Sequence, residues 1–256
     1  MPITSGIYYH LFEGSNLGQK PPLVLIHGAG GTHLYWPAEA RRLMGYRVYA
    51  PDLPGHGKSG GRGRQSIASY ADSLLDWLTE LGIHSAAFAG HSMGGAIALS
   101  IALDHPERAA GLILVGSGAH LRVAPELLAS AESPTTYLNA VKMVVDWSFS
   151  ASTSARMKEL AGQRMAETRP SVLHGDFRAC NEFVEIERVN QIRQPTLIVC
   201  GLEDKMTPPR FSQFLEEQIP GSRLLAIPEA GHMVQLEKPR LVAEAMLSFL
   251  TGIEYA

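Results

Sequence analysis

The pattern Gly-x-Ser-x-Gly occurs twice in this chain, as Gly90-His91-Ser92-Met93-Gly94 and as Gly57-Lys58-Ser59-Gly60-Gly61. A serine hydroxyl is a useful nucleophile only when a base takes its proton and a third group orients that base. The pattern serves this chemistry where it forms a sharp strand-to-helix turn. That turn lifts the serine oxygen clear and offers the next backbone N–H to a developing oxyanion. Ser92 has this context, with the apolar run AAFA before it and the helix former AIALSIAL after it. Ser59 lacks it, following a proline-rich turn and leading into GRGRQ, which starts no helix. Ser92 is the candidate nucleophile, and Gly90, Gly94 and Gly95 suit a crowded turn.

The base and its acid must reach the same place. His232, in Glu229-Ala230-Gly231-His232, directly follows the strand-like run RLLAIP, and Asp204, in Gly201-Leu202-Glu203-Asp204, follows TLIVC. Both fall at carboxyl ends of strands, where open α/β sheets build their sites. Helix capping by Asp204 is a competing reading, and Glu203 is its immediate neighbour. The loop His27-Gly28-Ala29-Gly30-Gly31 follows LVLIH, and its glycines let backbone amides approach an anion closely. The Ala29 N–H, with Gly30 as the alternative, is the expected oxyanion donor beside Met93. His27 reads as structural and His91 as the variable position of the serine turn. His33, Tyr35 and Trp36 either line a pocket or open a helix.

Gly55-His56-Gly57-Lys58-Ser59-Gly60 also satisfies G-x-G-x-x-G. A dinucleotide site needs that motif to open a helix, and more glycine and arginine follow instead. A phosphate-binding P-loop wants glycine where Asp52 stands. What remains is a glycine-rich turn in which Asp52 and Ser59 hydrogen-bond backbone groups.

The elements that must position these residues follow a βαβ rhythm. Leu23–His27, Arg47–Ala50, Ala86–Ala89 and Leu112–Val115 are nearly continuous apolar runs, as in strands buried on both faces. Helical patterns lie between them at Pro37–Met44, Ser66–Leu81 and Met93–Asp104. From 120 to 190 the rhythm breaks into helical segments near Pro125–Ala131, Thr136–Trp147, Ser154–Glu167 and Ser171–Phe183. It resumes with Thr196–Cys200, Pro208–Gln218, Arg223–Ile227 and Pro239–Leu250. This predicts an α/β core, 1–119 with 191–256, built on a mostly parallel, doubly wound sheet and interrupted by a helical insertion at 120–190.

A length of 256 residues permits one large domain with an insertion. A net charge of −3 gives no electrostatic footprint for nucleic acid or an anionic membrane. No run approaches the roughly 20 apolar residues of a membrane span, and the N-terminus lacks the basic start and apolar run of a secretory signal. Cys180 and Cys200 form neither a metal-type pair nor a disulfide framework, and Cys200 reads as a small core residue. A cytoplasmic location and no metal are the expectations.

Gly90-His91-Ser92-Met93-Gly94-Gly95, the His27-Gly28 loop, the turn from Asp52 to Ser59, Asp204 and Gly231-His232 together resemble the α/β-hydrolase fold family. The resemblance spans the chain. It implies about eight strands flanked by helices, a helical cap inserted after the sixth strand, a pocket between core and cap, and no cofactor. Haloalkane dehalogenases and epoxide hydrolases of that family use aspartate at the elbow, so Ser92 points to the serine branch. That branch includes carboxylesterases, lactonases, carbon–carbon bond hydrolases, thioesterases and perhydrolases. The reading adopted is a carboxylesterase that cleaves small to medium esters through an acyl-enzyme on Ser92. Carbon–carbon, lactone or perhydrolase chemistry on the same triad is the alternative, and a small-molecule receptor with vestigial activity is the alternative of another class. Gly28, Gly30, His33, Trp36, Met143 and Trp147 are the expected substrate contacts. Of the apolar cap residues, Met143, Val144, Trp147, Phe149, Met157, Leu160, Met165, Phe177 and Phe183 either pack the cap or line an acyl pocket. Arg156, Arg164, Arg169 and Arg178 form no cluster that demands an anionic substrate.

Overall fold

The computed structural model describes residues 2–14 and 20–253, so residues 1, 15–19 and 254–256 of the expected core lie outside the described residues. The strands are β1 (Ile3–Thr4), β2 (Ile7–Glu13), β3 (Leu23–Ile26), β4 (Arg47–Pro51), β5 (Ala86–His91), β6 (Ala109–Val115), β7 (Thr196–Gly201) and β8 (Arg223–Ile227). They form one eight-stranded sheet in the order β1-β2-β4-β3-β5-β6-β7-β8. From β4 across to β8 every pairing is parallel. β1 and β2 add an antiparallel edge beside β4. Every residue of β3, β5 and β7 is buried, which explains their nearly continuous apolar sequence. The six strand-like runs of the sequence are β3 to β8.

The helices are α1 (Ala38–Arg41), α2 (Ile67–Glu80), α3 (Met93–Asp104), α4 (Pro125–Glu132), α5 (Tyr137–Ser148), α6 (Ala155–Ala166), α7 (Pro170–Glu182), α8 (Pro209–Gln218), α9 (Val234–Glu237) and α10 (Pro239–Thr251). α4 to α7 lie between β6 and β7. The helix expected over Pro37–Met44 shrinks to α1, because Arg42 has already left helical geometry and Gly45 turns the chain at φ +78°. In α2, the Ser66 hydroxyl accepts the Ser69 N–H, and Ile67, Tyr70, Ala71, Leu74, Leu75 and Leu78 make the buried stripe of an amphipathic helix.

Two apolar layers cover the sheet. α2 and α3, with Leu215 of α8, pack on one face; α1 and α10, with Trp36, pack on the other. Trp77 of α2 is fully buried, with its ring 5.3 Å from Tyr9 and 5.9 Å from Tyr49. Trp77→Ala removes that packing and should cost about 3–5 kcal/mol in urea unfolding. A loss below about 1 kcal/mol would mean that this layer does not hold the sheet as described.

Candidate active site

β5 ends at His91 and α3 begins at Met93, leaving a single residue, Ser92, to turn the chain. Ser92 does so at φ 53°, ψ −116°, a conformation that costs a non-glycine residue about 1–3 kcal/mol. The surroundings hold it there. A Cβ on Gly90 would lie 2.1 Å from the Gly94 carbonyl oxygen, and one on Gly94 would lie 2.3 Å from that of Ile26, so both positions require glycine. The Ser92 N–H still donates to Val115 O at 2.9 Å, and the Ser117 hydroxyl donates to Ser92 O at 2.9 Å.

His232 Nδ1 lies 2.9 Å from Asp204 Oδ2, and Asp204 is almost fully buried. Asp204 Oδ1 accepts the amides of Met206 and Thr207, both at 2.8 Å, and Oδ2 also accepts the Thr207 hydroxyl at 2.8 Å. The capping and acid readings of Asp204 are therefore compatible. Burial opposes its ionisation, but the neighbouring His232 and the Thr207 donors outweigh that cost and hold the carboxyl below its ordinary range. An ionised Asp204 fixes the proton on His232 Nδ1 and leaves Nε2 as the basic nitrogen. Glu203 is exposed and instead accepts the Ala151 amide at 3.0 Å.

Met93 opens α3, so its N–H has no intrahelical acceptor. The Ala29 N–H is likewise without a protein acceptor among the described residues. The Gly30 N–H is not free: it donates to Asp176 Oδ2 at 2.8 Å. That removes Gly30 as the alternative oxyanion donor.

Gly28, Ala29, Ser92 and His232 share a cavity of about 150 Å³ with Val144, Trp147, Met165 and Phe177 from the insertion. Four of the expected substrate contacts lie elsewhere. Gly30 is turned toward Asp176; the His33 ring is 2.8 Å from Asp52 Oδ1; Trp36 is fully buried under the sheet; and Met143 packs within the insertion. The apolar residues of the insertion divide between packing and lining. Phe149 and Phe183 are buried in apolar clusters, and Met157 and Leu160 border a separate cavity. Arg122 and Lys205 also line the main cavity, from segments that sequence spacing alone could not bring together. Cys180 reaches it too, but burial pushes its thiol well above the ordinary range, which argues against a nucleophilic role.

Two residues with a clear role at the site carried no distinctive sequence signal. His91 Nε2 is 3.0 Å from His232 O and, as donor, ties the serine turn to the histidine loop. Glu237 accepts the Gly231 amide at 2.7 Å and the Ser150 amide at 2.8 Å, fixing the same loop against the insertion.

A serine at a strained strand-to-helix turn, an acid–histidine pair and a glycine loop along one sheet edge define a known class of α/β proteins. The chain belongs to the α/β hydrolase fold family, whose sequence pattern matches residues 21–239. It is 30% identical to a 2-hydroxymuconate semialdehyde hydrolase of Pseudomonas putida, over 91% of this chain and 88% of that one. It is 27% identical to a pimeloyl-[acyl-carrier protein] methyl ester esterase of Aromatoleum aromaticum, over 86% and 94%. A solved thermophilic esterase superimposes with a TM-score of 0.83 at 32% identity, over 99% of this chain and 97% of that one.

Hydrogen-bond partners set the charge on the other buried histidines. His27 Nε2 accepts the Leu53 amide at 3.0 Å, so its Nδ1 carries the proton and donates to Gly28 O at 2.8 Å. Burial first, and His56 second, push His27 down to about 4. His91 is lowered to about 3, by burial and then by His232, so neither residue competes as a base. His56 differs, because both its nitrogens face acceptors: Pro54 O at 3.2 Å and Asp176 Oδ2 at 2.8 Å. Burial opposes its charge, yet Asp176 outweighs this and holds His56 above its ordinary 6.5. A raised folded-state value stabilises most below the unfolded value and is lost as pH rises through the folded one. Wild type should therefore exceed His56→Gln in Tm by more at about pH 6 than at about pH 9. An equal difference at both would show that the ring does not titrate.

Proposed function

We propose that this chain is a serine hydrolase, most specifically a carboxylesterase for small carboxylic esters, with Ser92, His232 and Asp204 as its triad. The observation that carries the reading is the buried Asp204–His232 pair opening on the same cavity as the strained Ser92. Ser92 Oγ attacks the ester carbonyl carbon while His232 Nε2 takes its proton, and the amides of Ala29 and Met93 bind the oxyanion. Collapse breaks the bond to the alcohol oxygen, which leaves with the proton from His232. Water repeats the sequence on the acyl-enzyme and releases the acid and free Ser92. Asp204 holds the histidine tautomer and balances the imidazolium. No step calls on a cofactor.

The insertion at 120–190 acts as a cap that supplies the apolar wall of the acyl site. A cavity of about 150 Å³ matches the size of engineered cavities that take benzene, which favours short acyl groups. The free, buried Cys180 and Cys200 fit a reducing compartment such as the cytoplasm. The similarity to a thermophilic esterase supports ester chemistry. The similarity to a 2-hydroxymuconate semialdehyde hydrolase supports carbon–carbon cleavage on the same triad as the second reading.

With p-nitrophenyl esters, kcat/KM should be highest for acetate to butyrate and fall for long chains, and Ser92→Ala should lose about 10⁴-fold or more in kcat. Turnover that survives in Ser92→Ala would rule out the assignment. A vinylogous diketone preferred over every ester by decades would select carbon–carbon cleavage. Turnover far below about 1 s⁻¹ on all substrates would favour a receptor.

Arg122 and Lys205 are exposed, line the cavity and have no ion-pair partner among the described residues, and no carboxylate is among the residues lining it. Such a field raises encounter rates for anions and is screened by salt. A monoester of a dicarboxylic acid should thus outperform its cationic analogue in kcat/KM, with the gap narrowing as salt is added. A salt-independent gap would mean the two cations do not act on substrate.

A further inference from the structure

Gly30 follows the Ala29 amide in the oxyanion loop, and both of its own backbone polar groups are held by the insertion. Its N–H donates to Asp176 Oδ2 at 2.8 Å, and its carbonyl accepts the Thr168 hydroxyl at 3.0 Å. Asp176, on α7, is completely buried. Besides Gly30 it accepts the Tyr70 hydroxyl from α2 at 2.6 Å and faces His56 Nε2, from the turn after β4, at 2.8 Å. One carboxylate thus joins the insertion to the loop after β3, the turn after β4 and a helix behind the sheet. The triad chemistry uses none of these contacts.

A buried charge is costly unless its acceptor sites are filled, and here donors from three separate segments fill them. Simple anchoring of the insertion would not require such a group, because apolar contacts already pack Leu173 and Phe177 of α7 against their surroundings. The atom Asp176 holds is distinctive. The Gly30 N–H belongs to the peptide plane that begins at Ala29, and Gly30 itself sits at φ +63°, a conformation that favours glycine. Leu173 closes that space, since a Cβ on Gly30 would meet its Cδ1 at 2.8 Å. The Ala29 N–H lies in the preceding peptide, whose Gly28 carbonyl accepts from His27 Nδ1 at 2.8 Å and from the Gly31 N–H at 3.1 Å, so Asp176 acts on it from one Cα further along, by fixing where the loop sits.

We propose that Asp176 is a positioning residue for oxyanion stabilisation: through the Gly30 amide it sets the loop that presents the Ala29 N–H, and so makes the seating of the insertion a condition for catalysis. The proposal rests on the serine-hydrolase reading. It assigns the insertion a part in transition-state stabilisation as well as in shaping the pocket.

The test is Asp176→Asn in the full chain, with a short p-nitrophenyl ester for turnover and a trifluoromethyl ketone as probe of the tetrahedral oxyanion. Asparagine keeps the shape but turns one acceptor oxygen into a donor, so the three donors can no longer all be satisfied. kcat should fall by about 10²-fold with KM changed by less than about threefold. By calorimetry the ketone should bind the folded protein at unchanged stoichiometry, with Kd weakened by about the same factor as kcat. Thr168→Val removes the second bond to Gly30 without touching Asp176, and should show the same pattern at about three- to tenfold. It decides the matter if Asp176→Asn does not fold. Tyr70→Phe leaves the Gly30 bond in place and should keep kcat within about threefold of wild type. Wild-type kcat and ketone affinity in folded Asp176→Asn or Thr168→Val would overturn the proposal. So would a loss confined to KM, or a loss of stoichiometry without change in Kd. If instead Ser92→Ala retains turnover, it is the serine-hydrolase reading that fails, a result separate from these.

Discussion

The whole site depends on how closely the chain passes itself where β3, β5 and α3 meet. Gly90 lies against Gly94, and Gly94 against the Ile26 carbonyl, at distances that admit no side chain. This contact forces all of the reversal from strand to helix onto Ser92, which takes a positive φ that nothing local favours. The strain is sustained by what surrounds it: fully buried strands on either side, the Val115 carbonyl holding the Ser92 amide, and α3 packed against the sheet. A looser crossing would relax the serine and turn both its hydroxyl and the following amide away from the cavity.

Around that crossing the fold places buried polar groups whose charge is fixed by their partners. His27 is held neutral by an amide that donates to it, and His91 spends its proton on the His232 carbonyl. His56 sits between two acceptors, and Asp176 favours its charged form. His232 has one nitrogen held by a carboxylate and lines the cavity, whereas His33, also paired with a carboxylate, does not line it. The same residue type thus takes different states within one layer of the protein, as hydrogen-bond direction dictates. The insertion takes part as well, since it meets the Gly30 loop through Asp176 and the His232 loop through Ser148 and Ser150.

Much of this was legible in the sequence because it is local. Continuous apolar runs marked the buried parallel strands, and the serine turn announced itself by a strand before and a helix after. Asp204 and His232 each follow a strand closely enough to be placed on one edge. β1 and β2 were not read as strands: β1 is only two residues long, and along the second half of β2 half-buried and exposed positions alternate. The contacts of the pocket were less legible, because the wall of a cavity depends on packing between segments far apart in the chain. Trp36 looked like a pocket residue but points beneath the sheet, and His33 is turned away by Asp52, a residue whose turn-forming role was otherwise clear. Asp176 gave no signal of its own within HGDFRAC. Its significance lies in partners 106 to 146 residues away along the chain.

The crossing of β3, β5 and α3 should produce an activated serine. Brief exposure of the native protein to a fluorophosphonate, followed by proteolysis and peptide mapping, addresses it most directly. A single adduct on Ser92, formed in the folded protein and lost on prior denaturation, is the expected result. No adduct in folded protein, or an adduct on another residue such as Ser59, would contradict it.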